Sequence, residues 1–178
     1  MFQLNTARLI LDRVTGDDLQ RAFEQRSPQQ LREWLGDEGV YQRNLRRFEA
    51  GHFVGMNTVV QFHLHLKNTS ETIGACGFHN WQPEHQRAEI GYAHYREEFK
   101  HQGYMKEALV AVLNYGFHGM NLHRIDSLVS DSNTPSLKLM RHFGFTQEGA
   151  LREHYLRDGI FESSLMFGLL KHEWISRP

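Results

Sequence analysis

The chain has 178 residues, 40% of them hydrophobic and 23% charged, a composition typical of one globular domain rather than a disordered chain. Twenty basic and 21 acidic side chains give a net charge of −1, which does not indicate a broadly basic nucleic-acid surface. No apolar run approaches the roughly 18 residues of a membrane span, and charge within the opening apolar stretch argues against a secretory signal. The single cysteine, Cys76, cannot form an internal disulfide and fits a cytoplasmic protein.

The first half of the chain alternates between strand and helix signals. Residues 4–14 are rich in β-forming side chains and predict the first strand. Helix signals follow, because polar caps and a proline precede apolar side chains at helical spacing. Three short helices are therefore predicted: one capped by Asp17-Asp18, one opened by Ser27-Pro28, and one from Tyr41 to about Ala50.

The rest of the chain predicts a sheet interrupted by two helices. Apolar and polar residues alternate over 58–67, which predicts a strand, and further strands over 72–80 and 87–95 complete a predicted antiparallel three-stranded meander. Further elements are a helix over 103–118, a strand over 124–130, a helix over 133–143 ended by Gly144, and strands over 147–156 and 161–172 joined by Asp158-Gly159. This order predicts a single α/β (α+β) domain over residues 1–178, with a mixed, mostly antiparallel sheet flanked by helices.

The segment 99–108 joins the third meander strand to the long helix. A helix start presents unpaired backbone N–H groups and the positive end of the helix dipole. Gly103, just before that start, allows close approach of a ligand or a sharp turn of the backbone. The segment is therefore a candidate phosphate-binding loop, although one glycine before a helix is more often only a turn.

Several short sequence blocks, in order along nearly the whole chain, support the interpretation of this segment as a phosphate-binding loop. They are Thr6-Ala7-Arg8-Leu9-Ile10-Leu11, Ile73-Gly74, Ala88-Glu89-Ile90-Gly91-Tyr92, Gln102-Gly103-Tyr104-Met105 with Glu107-Ala108, Leu122-His123-Arg124-Ile125, Asn133-Thr134 with Ser136, and Gly144-Phe145 with Glu148-Gly149. With these blocks the chain resembles the GNAT superfamily of acetyl-CoA-dependent N-acetyltransferases. It is more narrowly similar to the RimJ/RimL type of ribosomal-protein N-terminal acetyltransferase.

The resemblance implies a GNAT fold, acetyl-CoA as co-substrate and no metal. It implies transfer to a primary amine, first of all the N-terminal amine of a ribosomal protein, by a cytoplasmic monomer or homodimer without nucleic acid or membrane. Two other functions stay open: a small-molecule acetyltransferase for a polyamine, amino acid or antibiotic, and a non-catalytic acyl-CoA sensor. The implied cofactor-binding residues are Tyr95, Lys100, His101, Gln102, Gly103, Tyr104, Met105 and Asn133.

The loop departs from the family pattern at three positions. Lys100 stands where arginine or glutamine is usual, and Met105 where glycine or alanine is usual. Backbone amides dominate binding in such a loop, and a basic Lys100 can still face a phosphate. Many relatives carry a glycine where His101 stands, which leaves the geometry of the loop open.

The resemblance also assigns catalytic roles. A backbone amide around Tyr92 to Tyr95 would polarise the thioester oxygen. Glu89 is a candidate base, with pairing to Arg87 or Arg124 as the equally weighted alternative. Ser136 is the candidate acid, and it could also cap its helix together with Asn133. His154, with Glu153, is the alternative base, unless it is simply an exposed strand residue.

Other residue types suggest rival chemistries that the sequence does not favour. Cys76 lies mid-strand without a feature that lowers a thiol pKa, so a buried inert thiol is expected rather than a nucleophile. His63 and His65 share one strand face, but two ligands do not make a metal site, and we expect them to face a wet groove that could line the acceptor cleft. Core packing is expected for the large aromatic residues, namely Trp34, Phe48, Phe53 and Trp81.

Overall fold

The computed structural model describes residues 2–53 and 59–175. Within these residues, eight strands and six helices follow one another as β1 (Gln3–Asn5), β2 (Leu9–Val14), α1 (Gly16–Gln25), α2 (Pro28–Leu35), α3 (Glu38–Glu49), β3 (Val60–Leu66), β4 (Thr72–Gln82), β5 (Arg87–His94), α4 (Tyr104–Asn114), β6 (Arg124–Ser130), α5 (Thr134–His142), β7 (Thr146–Arg157), β8 (Ile160–Leu170) and α6 (Lys171–Ile175). Thr58, the first residue of the strand predicted over 58–67, lies outside the described residues.

The eight strands form one sheet in the order β1-β2-β3-β4-β5-β6-β8-β7. The β5–β6 pair is parallel, whereas β1–β2, β2–β3, β3–β4, β6–β8 and β7–β8 are antiparallel. This arrangement confirms the predicted α/β fold with a mixed, mostly antiparallel sheet and flanking helices. Among the described residues, no helix has the length and apolar character needed to cross a bilayer.

The chain divides into two compact units, which we describe separately: residues 1–80 with 91–114, and residues 81–90 with 115–178. In the first unit, helices α1–α3 pack around an apolar cluster that includes Leu19, Phe23, Leu35 and Phe53, with Trp34 and Phe48 packed against it. The aromatic residues Trp34, Phe48 and Phe53 are thus core residues, as predicted. In the second unit, Trp174 stacks on Phe117 and lies against Phe143.

The predicted first strand is wrong in its extent, since residues 4–14 form two strands rather than one. The Thr6 N–H donates to the Leu9 carbonyl oxygen at 3.0 Å, so the chain turns back and β1 pairs antiparallel with β2. The Thr6 hydroxyl also donates to Glu107 Oε1 at 2.6 Å. A contact 101 residues away therefore helps to fix this turn, and local β propensity cannot reveal it.

The predicted caps are partly right. Ser27 caps α2 with Pro28 as its first residue, as expected. Helix α1 is capped by Thr15 rather than by Asp17-Asp18. Thr15 Oγ1 accepts from the Asp18 N–H at 3.2 Å, and Asp18 Oδ2 accepts from the Thr15 N–H at 3.0 Å, which is a capping box.

Two later boundaries also differ from the prediction. The long helix is α-helical only to Asn114 and continues as a π-helical turn over Tyr115–Gly119. The last strand ends at Leu170, and the residues beyond it begin α6, where Glu173 accepts from the Leu170 N–H at 2.8 Å. The turn at Asp158-Gly159 is confirmed, because both residues have φ between +49° and +80°.

Candidate functional site

The predicted phosphate loop begins α4 in the first unit. After a short 3-10 turn over Glu97–Phe99, the chain passes through three exposed residues and enters the helix at Tyr104. Gly103 has φ +79°, and its carbonyl oxygen accepts from the Glu107 N–H at 3.0 Å, the first helical bond. The helix start and its positive dipole end therefore lie beside solvent-accessible backbone, which fits a diphosphate.

His101 adopts the conformation that a glycine would favour. Its φ is +60°, in the left-handed region that non-glycine residues seldom occupy. Histidine is among the side chains that enter this region several times more often than average. The departure from the family pattern at this position therefore leaves two residues of the loop, His101 and Gly103, with positive φ.

Arg8 and Glu107 brace the loop, and sequence reasoning did not assign them to the site. Arg8 Nε lies 2.7 Å from Glu107 Oε2, and the Arg8 N–H donates to Glu107 Oε1 at 2.7 Å. The same guanidinium donates to the Gln102 carbonyl oxygen at 3.1 Å and lies 4.4 Å from the Tyr104 ring centroid. Both residues belong to motif blocks noted above, and their contact ties the β1–β2 turn to the start of α4.

The polar side chains of the loop are engaged locally. Lys100, expected to face a phosphate, forms an ion pair with Glu97. Gln102 donates from Nε2 to the Glu98 carbonyl oxygen at 2.5 Å. Because Lys100 is half-exposed, exchanging Glu97 for a bound phosphate requires only a side-chain rotation. Its role in binding stays a prediction.

The end of β5 was predicted to supply an amide for the thioester oxygen. The Tyr95 N–H donates to the Ile73 carbonyl oxygen at 3.1 Å, so this amide is already used within the sheet. The Tyr95 hydroxyl is buried and has no hydrogen-bond partner among the described residues. Burial raises the pKa of that hydroxyl, which therefore stays protonated and able to donate.

The second unit holds the other predicted residues. Asn133 caps α5, since its Oδ1 accepts from the Ser136 N–H at 3.2 Å. The Asn133 N–H donates to the Ser130 carbonyl oxygen at 3.0 Å, so the reciprocal bond of a capping box is replaced by a turn. The capping role of Asn133 is confirmed, whereas its cofactor role and the acid role of Ser136 stay predictions.

Glu89 lies on β5 where this strand pairs with β6. The parallel register runs from Arg87↔Arg124 to Glu89↔Asp126. The two arginines contact Asp126, with Arg124 Nε at 2.5 Å and Arg87 Nη1 at 3.5 Å from it. Asp126 thus accepts contacts from both arginines proposed as alternative partners of Glu89. The side chain of Glu89 is half-buried.

A wide bulge in β7 presents the alternative bases. The register with β8 passes from Leu151↔Ser164 to Tyr155↔Glu162, so residues 152–154 stand opposite a single residue of β8. Glu153 has φ +51°, and His154 Nδ1 lies 3.2 Å from Ser164 Oγ. Bulges of this kind re-aim side chains and are frequent beside active sites. An open cavity of about 610 Å³ is lined by Ala150, Leu151, Arg152, Glu153 and His154.

The rival chemistries find little support. Cys76 is buried, and burial raises the pKa of its thiol, as expected for an inert residue. The expected wet groove at His63 is wrong, since that side chain is 1% exposed and its ring lies 5.1 Å from the Trp34 ring. Within 2–53 and 59–175, no group of three or more His, Cys, Asp or Glu residues is arranged to hold a metal ion.

Comparison with known proteins agrees with these features. Residues 8–146 match the family described as acetyltransferase (GNAT) domain. The chain is 40% identical to the uncharacterized N-acetyltransferase p20 of Bacillus licheniformis over 114 residues, which are 64% of each protein. It is 29% identical to the uncharacterized N-acetyltransferase YoaA of Bacillus subtilis, over 94% of this chain and 96% of that protein.

Solved structures of two different acceptor classes share the fold equally well. The ribosomal-protein-S5-alanine acetyltransferase of Vibrio fischeri is 18% identical, covers 100% of both chains and has a TM-score of 0.72. A spermidine/spermine N-acetyltransferase of Vibrio cholerae is 20% identical, covers 96% of this chain and 98% of its own, and also has a TM-score of 0.72. These likenesses establish the fold alone.

Proposed function

The chain belongs to the family of GNAT acetyltransferases, and from that premise we propose that it acetylates the N-terminal amine of a protein, within that class a ribosomal protein. Membership of the family makes it an acetyl-CoA-dependent acetyltransferase. The identity of the acceptor is the proposal, because enzymes named for two different acceptor classes share this fold equally well and the fold does not distinguish between them.

The observation that carries the cofactor assignment is the loop before α4. Two positive-φ positions, His101 and Gly103 on either side of Gln102, precede an 11-residue helix, and all three residues are exposed. A diphosphate would accept from the first backbone N–H groups of this helix. Arg8 adds a guanidinium at 3.1 Å from the Gln102 carbonyl oxygen, which holds the loop and leaves positive charge beside it.

The reaction requires two proton movements besides the acyl transfer. The amine nitrogen bonds to the thioester carbonyl carbon, the carbon–sulfur bond breaks, the amine loses a proton and the thiolate gains one. We assign the first proton to Glu89 or, alternatively, to His154 with Glu153 beside it. We assign the second to Ser136, whose backbone is fixed by the Asn133 cap.

An exposed apolar hairpin supports a protein acceptor over a small polar amine. Tyr155 and Leu156 on β7 are 51% and 63% exposed, and Ile160 and Phe161 on β8 are 69% and 61% exposed. Leu156 pairs with Phe161 across the two strands, so these two side chains form one apolar patch, whereas Tyr155 and Ile160 lie on the opposite face of the hairpin. Contiguous exposed apolar side chains are typical of surfaces that contact other proteins.

A thiol-release assay with acetyl-CoA tests the proposal. The acceptors are a set of N-terminal peptides with different first residues, spermidine, free amino acids and an aminoglycoside, and mass spectrometry locates the acetyl group. We expect CoA release with peptides and acetylation of their α-amine. Release only with spermidine or another small amine would refute the protein acceptor, and acetyl-CoA binding without release from any amine would indicate a sensor.

A pair of variants links the acceptor to the hairpin. Leu156→Ser with Phe161→Ser should raise KM for the peptide about tenfold and leave KM for acetyl-CoA unchanged, since truncating a few contact residues commonly costs more than 1 kcal/mol. Val110→Ser is the matched control, because Val110 is an apolar residue of α4 that is 42% exposed. An unchanged peptide KM in the double variant would remove the hairpin from the acceptor site.

A further inference from the structure

A second polar cluster lies on one face of the sheet in the first unit, apart from the phosphate loop. Its members are Asp12 on β2, His63 and His65 on β3, and Thr72 on β4. They share a face because Asp12 stands opposite His63, and His65 stands opposite Thr72. His63 is 1% exposed, and the side chains of His65 and Asp12 are 14% and 23% exposed.

Three polar atoms of this cluster are buried without a hydrogen bond. They are Asp12 Oδ1, His63 Nδ1 and His65 Nε2, and none has a partner within the part of the chain that the structure describes. His65 Nε2 lies 3.3 Å from Asp12 Oδ2, within ion-pair distance but without hydrogen-bond geometry. Buried polar groups are almost always paired, so three such atoms in one cluster indicate a missing partner.

The protonation state of the cluster determines whether the missing partner must donate or accept hydrogen bonds. Burial lowers the pKa of His63 to about 3, so this ring is neutral and one of its nitrogens carries a lone pair. The Thr72 hydroxyl has one proton and lies 3.4 Å from the Trp34 carbonyl oxygen and 3.0 Å from His65 Nδ1. When the hydroxyl donates to Trp34, His65 Nδ1–H donates to Thr72 and Nε2 faces Asp12 as a second acceptor.

An alkylammonium group is complementary to this arrangement. It carries a positive charge and three N–H donors, which match one carboxylate oxygen and two imidazole nitrogens. The Trp34 ring, 5.1 Å from the His63 ring, adds an apolar wall for the attached carbon chain. The Trp34 ring already has a cation, since the Arg26 guanidinium lies 4.5 Å from its centroid. The positive charge of a ligand would therefore be recognised by the Asp12 carboxylate and not by this ring.

We propose that Asp12, His63 and His65 form a subsite for an ammonium group of the acetyl acceptor. The inference rests on the proposed function, since the ammonium group belongs to the acceptor of that reaction, and the subsite holds it as a cation apart from the amine that is deprotonated and acetylated. Asp12 supplies the charge, the two imidazoles accept the remaining N–H bonds, and Thr72 fixes the ring of His65. A buried water could occupy the same position, and the experiment below separates the two occupants.

The test is direct binding without acetyl-CoA, so that it does not depend on catalysis. Imidazole ¹⁵N–¹H spectra of the wild-type chain are recorded during titration with methylammonium, spermidine or an N-terminal peptide at constant ionic strength. We expect saturable shifts of His63 and His65 with at least one amine. Asp12→Asn should abolish these shifts, whereas Asp17→Asn, an exposed carboxylate in the first turn of α1, should retain them.

Steady-state kinetics provide the second measurement. Asp12→Asn should raise KM for the amine about tenfold or more, with KM for acetyl-CoA unchanged. Histidine shifts without any CoA release would leave the subsite standing and overturn the proposed transfer. CoA release together with unshifted histidines in the wild-type chain, or an unchanged amine KM in Asp12→Asn, would show that the cluster holds only water and overturn the subsite.

Discussion

Replacing Glu107 by glutamine tests whether the brace between the β1–β2 turn and α4 stabilises the fold. Glu107 is 18% exposed and accepts three hydrogen bonds: from the Thr6 hydroxyl at 2.6 Å, the Arg8 N–H at 2.7 Å and Arg8 Nε at 2.7 Å. Glutamine keeps the size of the side chain but loses the charge, and its NH₂ group opposes an Arg8 donor.

The expected loss can be sized from these contacts. Hydrogen bonds to a charged group contribute about 1.5–3 kcal/mol each, but they are not additive, and Arg8 is 47% exposed and screened by water. We therefore expect Glu107→Gln to lose about 2 kcal/mol of unfolding free energy. For a chain of this size that lowers the melting temperature by about 4–8 °C.

The pH dependence supplies an independent check. Burial alone would raise the pKa of Glu107, but the hydrogen bonds from Thr6 and Arg8 lower it below its ordinary value of 4.5. The folded pKa is depressed, so the stabilisation is complete above about pH 4.5 and is lost as the pH falls through the folded pKa. The difference in melting temperature between wild type and Glu107→Gln should therefore shrink in acid.

Thermal unfolding followed by circular dichroism from neutral to acid pH measures both effects. Glu49→Gln is the matched control, because Glu49 is an exposed carboxylate at the end of α3. A Glu107→Gln melting curve that coincides with wild type near neutral pH would refute the brace. A constant difference at all pH values would refute the electrostatic part of the argument.

Further predictions concern the site and the buried histidine. Gly103→Val should weaken acetyl-CoA binding about tenfold or more in calorimetry, because valine is strained at φ +79°, and the fold should persist since only a roughly 1–2 kcal/mol backbone penalty is added. Unchanged affinity would mean that the loop does not bind the cofactor. Ser136→Ala should lower kcat more than it weakens acetyl-CoA binding, and an equal kcat would remove its acid role. Either Glu89→Gln or His154→Ala, and not both, should lower kcat by about 10²- to 10⁴-fold and remove the acidic limb of the pH–rate profile; two near wild-type profiles would favour catalysis by positioning. His63→Phe should reduce the loss of stability in acid, because the folded pKa of about 3 lies below the ordinary 6.5 and the unfolded chain binds the extra proton between those values. Between neutral pH and pH 5, the unfolding free energy measured in urea should therefore fall by up to about 2 kcal/mol less in His63→Phe than in wild type. Parallel plots of unfolding free energy against pH for the two proteins would contradict this prediction.

Elements defined by local patterns were predictable from the sequence. Strand β6 was predicted over residues 124–130 and occupies Arg124–Ser130, where buried and half-buried residues alternate strictly as in a strand. Helix α2 was predicted from Ser27-Pro28, whose cap geometry is local. Two features that were not predicted had causes that a local pattern does not contain. The break between β1 and β2 involves Glu107 on a distant helix, and the bulge at residues 152–154 depends on register with β8.

The histidine cluster shows why the candidate site was only partly predictable. Strand periodicity correctly put His63 and His65 on one face, since alternation is a property of the backbone. It could not tell that Trp34 of helix α2 covers this face, because both faces of a sheet can be buried. The polar character of the residues therefore suggested a wet groove, whereas the structure buries His63 against Trp34.

Burial beneath Trp34 changes what the histidine pair requires from its surroundings. A histidine in water needs no partner, whereas one beneath a helix requires a hydrogen bond for each buried polar atom. Asp12 on β2 and Thr72 on β4 satisfy part of that requirement, and the unpaired remainder, a carboxylate oxygen and two ring nitrogens, is complementary to the charge and the donors of an ammonium group. Recognition of an ammonium group of the acceptor would thus originate in strands β2–β4, whereas the motif that identifies the cofactor lies in the loop before α4.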